Sequence, residues 1–189
     1  ITNSRLAAFG DKARKEGKRI GINPTSAEQE LLAPCLVDPH SILERSICDK
    51  RETLVSLCHA AAAAGYGHLA LLPRSDSFRD RPERLKEFNA KGDVAIHLWG
   101  GFSKEGESRE LSTHGDLIQN GAIGLADDDY LPSLDLLQRG LVLNEMGTAP
   151  ILLAPRDAKV QGNGIVREGV EVLRAGWAPD PIASETLPL

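Results

Sequence analysis

The sequence predicts an α/β fold in which parallel strands alternate with helices, and two patterns indicate it. Short apolar runs recur along the chain, and their starts lie about 26 to 37 residues apart. The runs are continuously apolar rather than alternating, which is typical of strands that are buried on both faces. Helical stretches lie between them, and several of these are closed by a glycine. A repeated βα unit implies a parallel sheet with right-handed crossover connections.

The individual elements follow from the apolar runs and from the residues that separate them. Gly65 follows the first helical stretch, and Gly92 and Gly121 precede the third and fourth strands. The predicted strands are residues 31–37, 68–72, 94–99, 122–126 and 151–154. The predicted helical stretches are residues 52–64, 82–90, 117–120 with the turn before them, 134–145 and 166–175, ahead of a Pro-rich tail at 179–189. Residues 1–30 are charged and interrupted by Gly and Pro, which indicates loops and short strands on a surface.

Periodicity alone leaves two arrangements of these elements open. A closed (β/α)8 barrel needs about 250 residues, and the predicted strands fill rather more than half of one. A half barrel exposes two strand edges and its inner face, so it requires a partner chain or the rest of a longer one. The alternative is an open, doubly wound sheet of the flavodoxin type.

The composition excludes several classes of function. The chain has 189 residues and a formal net charge of -5, which argues against a nucleic-acid partner and against an anionic membrane. No apolar run approaches the roughly 20 residues that span a bilayer. The N-terminus has neither a Met nor the shape of a signal peptide, so we expect a piece of a longer or processed protein. Cys35, Cys48 and Cys58 fit no C-x-x-C metal pair, and reduced thiols in the cytoplasm are expected.

One stretch near the start of the predicted sheet carries the chemistry. Residues 31–37 are apolar and lead into Asp38 and His40, which predicts polar groups at the C-terminal end of a strand, where parallel barrels carry their active sites. Residues 33–42 read A-P-C-L-V-D-P-H-S-I and resemble the A-P-G-x-V-D-x-H-x-H entry to the metal site of the amidohydrolase superfamily. Residues 49–54 read D-K-R-E-T-L and resemble the E-x-K-E-T that follows this entry in dihydroorotases.

The resemblance to dihydroorotases keeps its order and spacing over about residues 27–185. Further matching segments are residues 60–68, 72–82, 99–104, 121–129, 153–157, 162–164, 167–169 and 181–185. The variants at 163–164 and 168–169 are similar to the dihydroorotase-like proteins of cyanobacteria. The resemblance implies that residues 31–189 form the N-terminal part of a TIM-type (β/α) barrel of the amidohydrolase superfamily. It also implies that residues 1–30 are a remnant of the family's β-sandwich subdomain or a surface arm.

A binuclear metal site is implied by the same resemblance, and this chain retains few of its ligands. His40 occupies the first His position, and either Asp127 or Asp128 occupies the position of the bridging carboxylate. Ile42 and Ala154 stand at the second and third His positions. We therefore regard His40, Asp127 and Asp128 as vestigial metal candidates and predict no cofactor in this chain, whereas zinc serves the active relatives.

The substrate-binding positions also depart from the family pattern. Glu44 and Arg74 stand where the resemblance implies an Arg and an Asn that contact the substrate. Glu44 would repel an anionic substrate by like charge. We assign no catalytic residue, and Glu44, Arg45 and Arg74 are candidates for an ion-pair network that fills the vacated site.

Ordinary structural roles compete with the vestigial ones. The sequence favours His40 as a polar residue at a strand end that is hydrogen-bonded to a loop. The acidic residues 127–129 are typical of a solvated turn or of a helix N-terminal cap ahead of residues 131–132.

Three functions are consistent with these residues. The first is a dihydroorotase-like protein of pyrimidine biosynthesis that is inactive in this chain and serves as a structural partner, with aspartate transcarbamoylase or a second copy as the candidate partner. The second is an active, metal-dependent cyclic amide hydrolase completed by residues outside this chain. The third is a soluble α/β domain that binds no metal. The expected location is the cytoplasm.

Overall fold

The structure is a computed structural model that describes residues 11–12, 15, 34–43, 52–74, 77–86, 92–127 and 131–188. The chain divides into two compact units, Ile1–Cys35 and Leu36–Leu189. In the first unit Asp11, Lys12 and Lys15 are helical, where the sequence predicts loops and short strands. Lys and Arg residues are good helix formers, and their propensity outweighs the weak periodicity of this segment.

The second unit is built on parallel strands. Their bounds are β1 Leu36–Ser41, β2 Tyr66–Leu71, β3 Ala95–Leu98, β4 Gly100–Gly101, β5 Leu125–Ala126, β6 Ile151–Leu152, β7 Val166–Arg167 and β8 Pro179–Asp180. The strand orders are β1-β2-β3, β4-β5-β6 and β7-β8, and every one of these pairs is parallel. The predicted α/β fold with parallel sheets is therefore confirmed.

The first two sheets meet at Trp99, which separates β3 from β4. The Trp99 N–H donates to Leu71 O at the end of β2 (3.0 Å), and the Gly100 N–H donates to Gly124 O just before β5 (3.0 Å). One extended segment thus pairs with β2 through its first half and with β5 through its second half. The strands from β1 to β6 consequently lie side by side in the order of the chain.

Helices and 3-10 turns connect the strands. Their bounds are α1 Leu54–Ala63, α2 His114–Gln119, α3 Leu134–Leu143, α4 Ala158–Gln161, α5 Val170–Arg174 and α6 Ala183–Thr186, with 3-10 turns at Pro82–Leu85 and Lys104–Gly106. A capping box starts α1: Thr53 Oγ1 accepts from the Ser56 N–H at 3.1 Å, and Ser56 Oγ accepts from the Thr53 N–H at 3.0 Å. Within the described ranges, no helix is long and apolar enough to cross a membrane.

Alternate residues of β2 supply two different apolar layers, because successive side chains of a strand point to opposite faces. Leu69 packs with Ala61 of α1 on one face. Ala70 lies in a second cluster on the other face, which we call the inner face. A third cluster, centred on Phe102 and Leu117, fills the space between the sheet and the helices α2 and α3.

The first strand differs from its prediction in a way that affects the site. It runs from Leu36 to Ser41, so Asp38 and His40 lie within β1 and not beyond its end. Strand β1 pairs with β2 at Asp38 and again at Ser41, with a register shift between them, and the Leu72 N–H donates to Ser41 O at 2.8 Å. Within β1, the Asp38 carboxylate accepts from the His40 N–H and from Ser41 Oγ.

Two predicted helical stretches are also wrong in part. Residues 166–175 are not one helix: β7 precedes α5, and the Pro-rich segment that follows supplies β8 and α6. The extended backbone at Gly169 (φ 176°) separates the strand from the helix. Residues 82–90 begin as a 3-10 turn at Pro82–Leu85, and residues 87–91 lie outside the described part of the chain.

Candidate functional site at the carboxyl ends of the strands

Asp127 follows β5 directly, at the carboxyl edge of the sheet, and is only 7% exposed. Ser103, which follows β4, donates a hydrogen bond to each oxygen of the Asp127 carboxylate. The Ser103 N–H donates to Asp127 Oδ1 at 2.8 Å, and Ser103 Oγ donates to Oδ2 at 2.7 Å. Ser103 Oγ in turn accepts a hydrogen bond from the Ser108 N–H at 3.0 Å. The ends of β4 and β5 are therefore joined by one buried polar pair.

Burial raises the pKa of the Asp127 carboxyl above its ordinary value. The hydrogen bonds from Ser103 and the charge of nearby His114 act in the opposite direction without reversing the shift. A raised pKa means that the surroundings disfavour the ionised carboxylate, which is the form that a metal ion requires.

His114, at the start of α2, is buried close to this pair. Its Nε2 lies 2.7 Å from Phe102 O, so this nitrogen carries the hydrogen and donates it to the carbonyl. The imidazole also lies against the Phe102 ring, with centroids 4.8 Å apart. Because the Ser103 hydroxyl donates directly to Asp127, this arrangement does not place a histidine base on a serine nucleophile.

Ile42, at the second His position of the resemblance, belongs to the apolar interior. It packs against the cluster on the inner face. The buried members of that cluster are Ala70, Leu72, Trp99 and Ala126. The Trp99 Nε1–H donates to Pro39 O at 2.9 Å, which ties the indole to β1. Apolar side chains thus occupy the inner face next to the strand ends.

His40 is exposed on β1. Its backbone N–H donates to Asp38 Oδ1 at 2.9 Å, and Ser41 Oγ donates to Asp38 Oδ2 at 2.6 Å. Its imidazole makes no hydrogen bond to any residue that the structure describes. The backbone of His40 is therefore fixed locally, while its ring faces solvent.

The other predicted site residues divide into two groups. Ala154 is half-buried after β6, and Arg74 is exposed after β2. Asp128, Glu44 and Arg45 lie outside the described residues, so Arg74 is the one member of the predicted ion-pair network that the structure describes.

The interpretation of residues 127–129 as a solvated turn or helix cap is wrong for Asp127. That residue is buried and bonded to Ser103. The N-cap of α3 is Ser133, whose side chain makes no capping hydrogen bond.

Arg79 is a buried charge at the strand ends that the sequence does not reveal. Its side chain is fully buried, and its Nη2 donates to Leu71 O at 2.8 Å and also to Leu72 O. Its Nε donates to Trp99 O at 3.4 Å. The guanidinium thus binds carbonyls at the ends of β2 and β3. The only signal in the sequence is the charged run at residues 79–81, which indicates a surface rather than a core.

Asp80, the next residue, forms further hydrogen bonds that reach the loop after β4. It is 3% exposed and accepts from Arg84 Nη1 at 3.0 Å and from the Glu105 N–H at 3.0 Å. Phe78 lies so close to Gly101 that a Cβ at this glycine would collide with the phenyl ring. The loops after β2 and β4 are therefore held together at the carboxyl edge.

The described residues do not fit the binuclear metal that the resemblance implies. Among them, no three His, Cys, Asp or Glu side chains lie together as a metal cage. Asp127 is committed to Ser103, and Ile42 is committed to the apolar cluster. A catalytic zinc ion needs three protein ligands and an open position, and the described side chains do not supply that set.

Comparison with known proteins identifies relatives over most of the chain. It is 32% identical over 183 residues to a probable dihydroorotase-like protein of Synechocystis sp., covering 84% of this chain and 42% of that protein. It is 28% identical over 166 residues to a dihydroorotase of Acetivibrio thermocellus, covering 85% and 39%. It is 24% identical over 189 residues to a dihydroorotase of Pelotomaculum thermopropionicum, covering 98% and 43%. No protein-family model matches the chain.

These matches confirm the resemblance found in the motifs, including that to a cyanobacterial dihydroorotase-like protein. The chain spans about two fifths of the length of the relatives it matches. Over most of its length it is a homologue of the dihydroorotases and dihydroorotase-like proteins of the amidohydrolase superfamily.

Proposed function

We propose that the chain is part of a dihydroorotase-like protein of pyrimidine biosynthesis whose site no longer catalyses, and that it serves as a structural partner. The observation that supports this proposal most directly is the packing of the Ile42 side chain. At a position where the resemblance implies a metal-binding His, an apolar side chain packs into the inner-face cluster. The site is thus filled by packing rather than left as a cavity for metal and substrate.

The state of Asp127 supports the same conclusion. A bridging carboxylate must be ionised and must face two cations. Here both oxygens accept hydrogen bonds from Ser103, and burial raises the pKa of the carboxyl. Metal bonds at these oxygens would compete with the hydrogen bonds from Ser103, whose hydroxyl is itself held by the Ser108 N–H. His40 and Asp127 are therefore vestiges of the ligand set, and Asp128 is retained as the third candidate.

The order of the strands supports a partial barrel over a doubly wound sheet. In doubly wound folds the strand order reverses at a switch point. Here the parallel strands from β1 to β6 follow the order of the chain, as they do around a (β/α) barrel. We assign residues 31–189 to the N-terminal part of this barrel and residues 1–30 to a sandwich remnant or surface arm.

The proposed partner is a second copy of the chain or aspartate transcarbamoylase. Within the described residues, β1 is paired only with β2, and its Leu36 and Val37 are 52% and 61% exposed. An unpaired apolar edge of this kind is a site where other chains add strands. No part of the proposal requires a membrane or a nucleic acid.

The proposal is tested by metal analysis and by the cyclisation assay that interconverts N-carbamoyl-aspartate and dihydroorotate. The full-length protein that contains this chain is expected to hold no tightly bound zinc in this site and to show no turnover, with or without added zinc. The dihydroorotase of Pelotomaculum thermopropionicum, assayed alongside, is the positive control. Chelator-sensitive turnover by the wild-type full-length protein would support the alternative of an active hydrolase and overturn the proposal.

A series of substitutions that restore the family residues provides a second test. Ile42→His, Glu44→Arg, Arg74→Asn and Ala154→His together return the family residues to the ligand and substrate positions. Ile42→His alone is expected to destabilise the fold by about 1–3 kcal/mol because it places a polar ring in the apolar cluster. The matched Ile42→Val variant should cost only about 0.5–1.5 kcal/mol. Turnover in any variant that retains Ile42 would contradict the proposed role of this residue.

A further inference from the structure

Two histidines that have no place in the carboxyl-edge site meet on neighbouring strands. His68 lies in β2 and His97 in β3, and His68 Nδ1 is 3.0 Å from His97 Nε2. The ring centroids are 5.3 Å apart and the ring planes differ by only 21°. The two rings therefore point a nitrogen at each other, with one N–H donating and one lone pair accepting.

The register of the sheet places this pair on the inner face. His97 is paired with Ala70, and His68 precedes Ala70 by two residues, so both side chains share the face of Ala70. His68 lies three residues before Leu71, the end of β2, which puts it about 10 Å from the carboxyl edge. The pair is thus separate from Ser103 and Asp127.

The pair is partly accessible, and among the described residues no Asp or Glu joins it to form a three-ligand group. Both histidines are half-buried, and neither ring has a second hydrogen-bond partner among the residues that the structure describes. Asp38 of β1 is paired with Leu69, which faces α1 on the opposite side of the sheet. The exposed His59 belongs to α1, which packs on that opposite side.

We propose that His68 and His97 form a two-histidine binding site for a transition-metal ion. Two imidazole nitrogens on one tetrahedral ion lie roughly 3.3 Å apart, since metal–nitrogen bonds are about 2.0–2.1 Å long. The observed 3.0 Å is within a few tenths of an ångström of this separation. A rotation of each ring directs its lone pair to a common point beside the present N···N line. When the ion is bound, the ring that now donates carries its hydrogen on its other nitrogen. Metal binding therefore releases no proton.

The chemistry of the pair defines the class of ion. Neutral imidazole suits Cu²⁺, Ni²⁺ and Zn²⁺, whereas Mg²⁺ and Ca²⁺ prefer oxygen ligands. Only two ligands come from the protein, so water completes the coordination and the site is open. Such a site binds reversibly and differs from the tightly held binuclear zinc of active relatives.

The test is a Ni²⁺ titration of the full chain by calorimetry. One Ni²⁺ per chain is expected, and His68→Gln and His97→Gln should each weaken its binding by at least about tenfold. The exposed His59→Gln and Cys35→Ser are matched controls and should leave the affinity unchanged. Mg²⁺ should give no binding.

A second measurement on the wild-type chain avoids any folding defect of the variants. Ni²⁺ should broaden the imidazole NMR signals of His68 and His97 before those of His40 and His59. Saturable binding with this pattern supports the site. Absence of saturable binding, an affinity that the pair variants do not change, or broadening centred on another histidine overturns it.

Discussion

Ser103 and Asp127 lie 24 residues apart in the chain, yet two hydrogen bonds of 2.8 and 2.7 Å join them at the ends of adjacent parallel strands. The Ser103 hydroxyl also accepts from the Ser108 N–H, so one side chain connects β4, β5 and the loop between β4 and α2. The pair thus joins adjacent strand ends at the edge where the sequence resemblance implies a metal site. Four measurements test this view of the fold.

Ser103→Ala is expected to lower the free energy of unfolding by about 1–3 kcal/mol. The Asp127 Oδ2 atom and the Ser108 N–H would both lose their partner in a buried setting. Chemical denaturation measures the loss. The matched control is Ser133→Ala, since the Ser133 side chain makes no capping bond and the change should stay within about 0.5 kcal/mol. Equal effects of the two substitutions would show that the buried pair contributes nothing specific.

Asp127 is expected to make stability depend on pH. Its pKa is raised in the folded state, so the native chain holds this proton more tightly than the unfolded chain does. The resulting stabilisation is complete below the unfolded pKa of about 3.9 and is lost as the pH rises through the folded pKa. Relative to Asp127→Asn, the wild type should therefore gain stability as the pH is lowered from 7.

The exposed Asp116→Asn is the control for this pH series, because Asp116 lies on the surface of α2. Urea unfolding at several pH values provides the measurement. A difference between wild type and Asp127→Asn that does not change with pH would contradict the raised pKa.

Arg79→Met is expected to destabilise the second unit by about 3 kcal/mol or more, because the carbonyls of Leu71 and Leu72 would lose a charged donor inside the protein. Arg81→Met is the matched control. The Arg81 side chain is 54% exposed, and Asp80, which it contacts at 3.3 Å, also accepts from Arg84, so loss of Arg81 should cost less than about 1 kcal/mol. Thermal melting compares the two variants. An Arg79→Met variant as stable as the wild type would show that the hydrogen bonds from Arg79 to the strand-end carbonyls contribute little to stability.

Self-association through β1 is expected in solution. Light scattering should report an oligomer for the wild type, and Val37→Lys should shift it towards the monomer because a charge on an edge strand opposes pairing. Val142→Lys, at a position 76% exposed on α3, is the control and should leave the oligomer intact. A well-dispersed wild-type monomer with a cooperative melt would contradict the open half barrel.

Much of the architecture was determined by the sequence alone. Continuous apolar runs separated by helical stretches predicted the parallel strands, and the helices α1 and α3 lie within residues 52–64 and 134–145 as predicted. These features are readable because they depend on local propensity and on burial of both faces of a strand. The order and spacing of the motifs likewise indicate the kinship with dihydroorotases that the relatives confirm.

The tertiary structure decided what those residues do. Ser103 reaches Asp127 across 24 residues, and His68 reaches His97 across 29, contacts that depend on strand register and on no local pattern. The sequence placed Arg79 in a charged run typical of a surface, whereas the fold buries it among strand-end carbonyls. Ile42 could be recognised from the sequence as a lost ligand, but only packing showed that it fills the inner face. Local propensity determines where helices and strands form. Which side chains contact each other depends on the pairing of strands that are distant in the chain, because those contacts form only once the strands are aligned.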